Sequence, residues 1–392
     1  LNELKLRGSW GQLGDLSIAR NYYIDNEMYY YQSGYKYPGE TLTFGDRTLY
    51  NPTETIQANP DFTWSKSTMT NIGFDSKLWN GLLSFSTDFF IRDRSGLPAQ
   101  KAVDNAGILK TWYNLNSDQT RGFEISIGHK NKIRDLNYSI DGNLSWARTK
   151  AIKVEHGQYA NGYTEWKWNS EGHWTNIRWG YDYIGHYQNQ EEINNAPMYS
   201  KAKNNSVILP GDLKYTDWNG DGYIDGYDQM PIGRTAYPEL MFGATFSAEW
   251  RGVDFSMFWQ GGALSQFKLG VFDTQAFRQG QTETNVWSYF NDRWRKADYT
   301  DPNSEWIPGK YPAIRDYFSP NINGEESRFW NNNGTYLRLK NIELGYTIPK
   351  NITKKIDIST LRIYVSAYNL LTFSASKYID PEQREGDWSM AG

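Results

Sequence analysis

Apolar and polar side chains alternate with a period of two along much of this chain, in runs of about 10 to 14 residues, the signature of extended strands with two unlike faces. In 82–92, Leu83, Phe85, Thr87, Phe89 and Ile91 share one face, while Ser84, Ser86, Asp88 and Arg92 share the other. In 239–250, Leu240, Phe242, Ala244, Phe246, Ala248 and Trp250 oppose Glu239, Gly243, Thr245, Ser247 and Glu249. In 253–260, Val253, Phe255, Met257 and Trp259 oppose Asp254, Ser256 and Gln260. The pattern repeats near 3–11, 68–79, 121–130, 137–149, 336–348 and 361–369, which predicts nine strands. In 336–348 the phase changes around Lys340–Asn341, which predicts a β-bulge.

The connections differ in kind. Asn80-Gly81 and Arg251-Gly252 are tight hairpin signals between clean strands. The stretches 13–66, 95–119, 151–238, 265–334 and everything after 373 are long. Short and long alternate, as in a transmembrane antiparallel β-barrel with short periplasmic turns and long extracellular loops. Charge on a lipid-facing strand position costs roughly 2–4 kcal/mol at the bilayer midplane, so Asp88, Arg92, Glu124, Asp141, Glu249 and Asp254 are expected to face a lumen or a plug. Nine strands cannot close a barrel carrying such loops, and both ends of the chain read as cut, so further strands are expected beyond it.

Composition strengthens this picture. Aromatic residues make up 16% of the 392 residues, with 17 Trp and 29 Tyr, which suits interfacial girdles. The mean hydropathy of −0.74 would disqualify a helical membrane protein. It suits a barrel, in which only alternate strand residues meet lipid. Cysteine is absent, which excludes disulfides, thiolate metal sites and cysteine nucleophiles. The net charge of −4 gives no reason to expect a nucleic-acid partner.

Six ordered blocks carry a family likeness: "LKLRGSWGQLG", "NPDFTWSKSTMTNIGFDSKLWNGLLSFSTDFFIRD", "TRGFEISIGHK", "PGDLKYTDWNGDGYIDGYDQMPIGRTAYPELMFG", "GTYLRLKNIELGYTIP" and "LRIYVSAYNLLTF" with "YIDPE". In that order the chain resembles the SusC/RagA family of TonB-dependent outer-membrane transporters of Bacteroidota, and 1–392 resembles the C-terminal portion of the barrel. The resemblance implies a barrel of about 22 strands around an N-terminal plug. It also implies energisation by the TonB complex and a SusD-like lipoprotein lid. The implied cargo is a nutrient, an oligosaccharide first and an oligopeptide as the alternative. The plug, the N-terminal half-barrel and the last strand are expected outside this chain. Within it, 151–238 and 265–334 are expected as two long extracellular loops.

Residues 217–228 read D-W-N-G-D-G-Y-I-D-G-Y-D. Asp217, Asn219, Asp221, the Tyr223 carbonyl, Asp225 and Asp228 fall at the ligand spacing of an EF-hand-type loop, with Gly222 where a sharp turn is needed. This predicts a calcium site of structural purpose, against the plainer reading of an Asp/Asn/Gly-rich turn. The last ligand is Asp where a bidentate Glu is usual, and no helices flank the run.

Segment 163–187 is crowded with aromatic residues, and Trp166, Trp168, Trp174 and Trp179 are the candidate sugar-stacking residues. For most of these rings the plainer reading is packing within the loop, and Trp294, Trp306 and Trp330 share that ambiguity. The four histidines, His129, His156, His173 and His186, lack zinc spacing, and no nucleophile elbow is present. Adjacent carboxylates such as Glu191-Glu192 and Glu325-Glu326 read as solvated surface. Nothing in the sequence argues for an enzyme. The competing class is a secreted all-β carbohydrate-binding or adhesive protein with calcium-pinned loops, in which the apolar strand faces would be buried against a second sheet.

Overall fold

The computed structural model describes residues 1–15, 31–39, 41–56, 58–101, 111–202, 204–269, 286–315, 321–375 and 380–382. Nine long strands dominate it: β1 (Glu3–Asp15), β2 (Ser65–Leu78), β3 (Leu83–Gln100), β4 (Trp112–Ile133), β5 (Leu136–Lys153), β6 (Leu240–Trp250), β7 (Val253–Ala263), β8 (Tyr336–Thr347) and β9 (Arg362–Ser374). They form one sheet in chain order, each strand beside its sequence neighbour with no crossover. The strands fall where the period-two pattern predicts them.

Two strands outrun the pattern furthest. β3 continues to Gln100 and β4 begins at Trp112, so the connection expected over 95–119 shrinks to 101–111. The reason is chemical. Beyond Ile91 and Phe123 the apolar face turns polar at Asp93, Gln119 and Arg121, so alternation fades while the backbone ladder goes on.

The chain divides into two units. The first holds Leu1–Thr175, Phe242–Trp259 and Lys340–Tyr368. Its sheet has one apolar face, and the register lines the apolar residues into rows. One row runs Gly8, Ile72, Phe89, Phe123, Trp146; a neighbouring row runs Leu6, Phe74, Thr87, Ile125, Leu144. Ring centroids lie 6.4 Å apart for Phe89–Phe123 and 5.9 Å apart for Phe123–Trp146, so cross-strand aromatic contact supports the pairing. Yet Leu6 (79%), Ile72 (65%) and Phe89 (57%) remain exposed on this face. Such contiguous apolar exposure marks a surface built to meet something other than water.

The tight turns lie where they are expected. Asn80 (φ 55°) and Gly81 (φ 83°), then Arg251 (φ 48°) and Gly252 (φ 89°), adopt the left-handed backbone that a two-residue hairpin requires. A Cβ on Gly252 would also sit 2.8 Å from the Thr347 carbonyl oxygen. Arg251 pairs with Asp135 at 2.8 Å, tying two such turns together. On β4, Gly122 leaves room for the Phe90 ring, since a Cβ there would lie 2.4 Å from Phe90 Cζ.

The second unit holds Asn176–Met241, Gln260–Leu339 and Asn369–Gly392. It contains most of the two connections expected as long loops, of which 203, 270–285 and 316–320 lie outside the described residues. It has its own core of Tyr181, Tyr187, Ile193, Tyr199, Leu213, Tyr215, Ile224, Tyr289, Phe290, Ile322 and Trp330. Short paired strands at 177–180 with 230–234 and at 183–186 with 213–215 frame it. The loops are therefore a folded body held by buried aromatic residues.

Candidate functional site

The polar face of the first unit is a hydrogen-bonded surface. Arg7 donates to Asp88 Oδ1 and Oδ2 at 2.8 and 2.7 Å and to Asp75 Oδ1 at 3.0 Å, while Ser86 donates to Asp75 at 2.7 Å. Arg94 Nε donates to Asp118 at 2.8 Å, and Arg362 Nε donates to Asp254 at 3.1 Å. Arg92 reaches Thr120 at 3.3 Å, and Thr120 joins Thr149 at 2.9 Å. Asp88, Arg92, Glu124, Asp141 and Asp254 thus share the face opposite Phe89, Phe123 and Trp146, as their positions in the alternation require. A hollow on this face is lined by Asp75, Ser84, Ser86, Ser126, Asp141 and Asn143, among others. Such a wall offers hydroxyls, amides and carboxylates to a polar occupant.

His129 lies on the apolar face near the tight turns. Its Nε2 is 3.0 Å from the Tyr138 hydroxyl, and the two rings are 5.5 Å apart. A polar tip on an apolar body is the girdle chemistry expected at a membrane interface.

The four candidate tryptophans occupy different settings. Trp166 and Trp168 lie on α1 (Gly162–Trp168), a short helix whose cap Asn161 accepts from Thr164 N at 2.9 Å. Trp168 is exposed, and Trp166 packs on Tyr163 with centroids 5.7 Å apart. Trp174 bridges to Lys150 of β5, and its ring lies under the Arg148 guanidinium at 4.4 Å. That places it with Trp146, on the apolar face. Trp179, in the second unit, sits in the 177–180 strand opposite Pro231. Trp294 and Trp330 are core residues at 4% and 1% exposure, and Trp306 lies under Lys296.

The 217–228 run forms a tight turn with Gly220 (φ 74°) and Gly222 (φ 86°) in the left-handed region. Its carboxylates serve its own amides. Asp217 accepts from Gly220 and Gly222, at 2.7 and 2.9 Å, and Asp221 accepts from Tyr223 at 2.8 Å. Asn219 accepts from Asp221 N at 2.9 Å, and Asp225 accepts from Tyr227 at 2.7 Å. Asp228 accepts from Trp218 and Asp225, each at 2.8 Å, and burial pushes its carboxyl above the ordinary range. The donor set is all oxygen, as a hard cation wants. Among the described residues, however, no three His, Asp or Glu side chains converge as metal ligands. The turn is closed by its own hydrogen bonds.

Sequence reasoning missed the centre of the second unit. Asp212, fully buried, accepts from Leu209 N and Asn323 Nδ2, each at 2.8 Å, and is ion-paired to Arg315. Asn323 in turn accepts from Leu213 N at 2.9 Å, and Arg315 donates to the Val207 carbonyl at 2.8 Å. Gly211 (φ 89°) must be glycine twice over, because a Cβ there would lie 2.4 Å from Trp294 Cβ. Burial also disfavours the charged form of His186. Its pKa is pulled below the usual range, with Nδ1 2.9 Å from the Tyr183 hydroxyl and its ring stacked 5.9 Å from Trp294. The "PGD" that opens the fourth family-like block marks this cluster, but spacing alone gives no sign of its partners.

Comparison with known proteins agrees with the fold. No family model matches the chain. It is 26% identical over 394 residues to TonB-dependent receptor P3 of Formosa agariphila, covering 96% of this chain and 36% of that protein. It is 24% identical to TonB-dependent receptor P26 of the same organism, covering 97% and 36%. The chain therefore spans little more than a third of the length of these relatives. Among solved structures, that of the RagAB peptide importer in the "open-open" state superposes with a TM-score of 0.68 at 18% identity, covering 97% of this chain and 37% of that one. The structure of the RagAB peptide transporter gives a TM-score of 0.65 at 18% identity, covering 96% and 38%.

Proposed function

Taking the chain as a segment of a TonB-dependent receptor barrel of the SusC/RagA kind, which its relatives and fold support, we propose that it is part of the wall of an active outer-membrane nutrient importer. The observation that carries this is the two-faced sheet. One face exposes rows of Ile, Leu, Phe and Trp, and the other carries several hydrogen-bonded clusters of charged and hydroxyl side chains. Lipid suits the first, and an aqueous lumen or a plug suits the second. The second unit supplies folded outer loops for capture, with a SusD-like lipoprotein as lid and the TonB complex as the source of work. The adhesive alternative requires the apolar face to be covered by a second sheet, and Leu6, Ile72 and Phe89 are exposed instead.

The cargo in this proposal is an oligomer, an oligosaccharide or an oligopeptide. The placement of Trp174 on the apolar face and of Trp179 in a paired strand weakens the stacking case for sugar. The names of the RagAB structures favour peptide for those proteins. Calcium at 217–228 stands as a structural addition to a turn that already holds itself. The decisive experiment is uptake by cells carrying the full-length protein, with labelled oligosaccharides and oligopeptides offered in parallel. Uptake of one class that stops when TonB is deleted is the expected result. Uptake that continues without TonB refutes active import.

A further inference from the structure

In a sequential meander every second connection emerges at the same edge of the sheet, so the links β2–β3, β4–β5, β6–β7 and β8–β9 share one rim. The first three are tight turns at 79–82, 134–135 and 251–252. The fourth runs from 348 to 361 and is folded. Ile348 N donates to the Leu361 carbonyl at 2.9 Å and closes its base, while Thr347 N donates to the Gly252 carbonyl at 2.7 Å, against the neighbouring turn. Between 348 and 361, α2 (Lys350–Thr353) passes into a 3-10 turn at Lys354–Ile356 without a break, because Thr353 (φ −65°) and Lys354 (φ −59°) both keep helical backbone. Pro349 opens the stretch and Asp357 (φ 54°) ends it. Thr353 alone within it is buried, which fixes the side it turns to the protein.

The remaining sides are two-faced. Residues four apart share a side of a helix. Ile352 (53% exposed) and Ile356 (61%) share one side, and Lys350 and Lys354 share another, about 160° away at about 100° per residue. Lys355 is exposed as well, and Asp357 is the only carboxylate that 348–361 sets against the three lysines. None of the three ammonium groups has a partner among the described residues. An apolar stripe opposed to lysines is the pattern of an element that lies in a bilayer interface. Its position agrees. Gly345 of β8 lies against Arg362 and Asp254 on the polar face, so its exposed neighbours Leu344 and Tyr346 belong by alternation to the apolar one. Trp250, exposed and with the Arg251 guanidinium 5.5 Å from its ring centre, stands at the same rim. The helical stretch thus begins where a lipid-suited strand face ends.

We propose that 348–361 docks on the membrane surface at the tight-turn rim. Ile352 and Ile356 enter the bilayer interface, and Lys350, Lys354 and Lys355 hold the phosphates of anionic lipid headgroups in that leaflet. Lysine stems can lie along apolar surface while their ammonium groups reach the headgroups. Three tight turns at the rim leave this connection as the element with surface enough to do so. The inference rests on the reading that the apolar face of the sheet meets lipid.

The test compares the full-length protein with a Lys350→Gln/Lys354→Gln/Lys355→Gln variant in vesicles of phosphatidylcholine with and without phosphatidylglycerol. Lipid retained by each protein is counted by native mass spectrometry. Separately, a nitroxide on Ile356→Cys is read for collisions with dissolved oxygen and with a water-soluble nickel chelate; residues 1–392 hold no cysteine of their own. The expected result is a preference for phosphatidylglycerol that falls about five-fold for each lysine removed, about a hundred-fold in the triple variant, with the label reached by oxygen and shielded from the chelate. Equal preference in both proteins overturns the lysine site. A label open to the chelate in inserted protein overturns the lipid occupant and leaves this stretch to a soluble partner. A protein that enters neither kind of vesicle sinks the membrane-wall reading itself, a result visible before lipid or label is read.

Discussion

Replacing Asp212 with alanine should open the second unit while leaving the strand ladder of the first intact. The carboxylate is fully buried, and Arg315, its ionic partner, is 13% exposed. Alanine removes the acceptor for Leu209 N and Asn323 Nδ2 and leaves a nearly buried guanidinium unpaired. Breaking a buried pair by deleting one partner costs about 3–5 kcal/mol. Local opening follows the same free energy, so amide protection should fall by roughly two to three and a half orders of magnitude. The amides to watch are Tyr187, which donates to the Asp212 carbonyl at 3.0 Å, Gly211, which donates to Tyr187 at 2.7 Å, and Leu213. Hydrogen exchange read by mass spectrometry on the full-length protein follows them, with β2–β5 amides as internal reference. Asp212→Asn keeps the shape and one of the two acceptor oxygens, so its loss should be smaller. A fall of less than ten-fold for the alanine variant would refute the claim that this pair holds the unit.

The other predictions are briefer. His186 has a folded pKa below its unfolded value, so its contribution is complete above about pH 6.5 and is lost as pH falls below that value; protection factors in the second unit, corrected for the intrinsic pH dependence of exchange, should fall as pH drops below about 6.5, and His186→Phe should flatten that dependence. Burial raises Tyr187 to about 12, so its stabilisation holds below about pH 10 and is lost between about 10 and 12; absorbance titration near the phenolate band should show it ionising late, and an ordinary midpoint would contradict its burial. Gly122→Ala drives a methyl to within 2.4 Å of Phe90 Cζ and should cost about 1–3 kcal/mol, seen as a lower unfolding temperature in detergent. Millimolar calcium should slow exchange of the 217–228 amides, and Asp225→Asn should weaken the effect; identical exchange with calcium and with chelator would remove calcium from the proposal.

Sequence and structure part company for reasons that can be located. The apolar belt is legible because lipid and lumen ask for opposite side chains at every step, which is why β2, β3 and β5 can be read from Phe74, Phe89 and Trp146 alone. The stretch Asn116–Thr120 of β4 is not legible, since both faces there are polar and only pairing reveals a strand. The Asp212 cluster is invisible for a different reason. Its partners lie 103 and 111 residues away, and no local pattern announces a contact made at that separation. Trp174 shows the limit of composition: an aromatic-rich stretch looks like one platform until register assigns one of its rings to the same side as Phe123.

The strictly sequential order of the strands has a practical consequence for anyone producing this chain. The order spares the sheet any crossover, but β1–β2, β5–β6 and β7–β8 pair across long connections, so most contacts are non-local and assembly of the wall should be slow. The same order leaves β1 and β9 with open rims, and β1 carries bare Leu4, Leu6, Trp10 and Leu13 along its length. Unsatisfied rims of this kind recruit copies of themselves. The chain should therefore polymerise side by side in water, and recovery as a monomer will require a detergent that shields these rims.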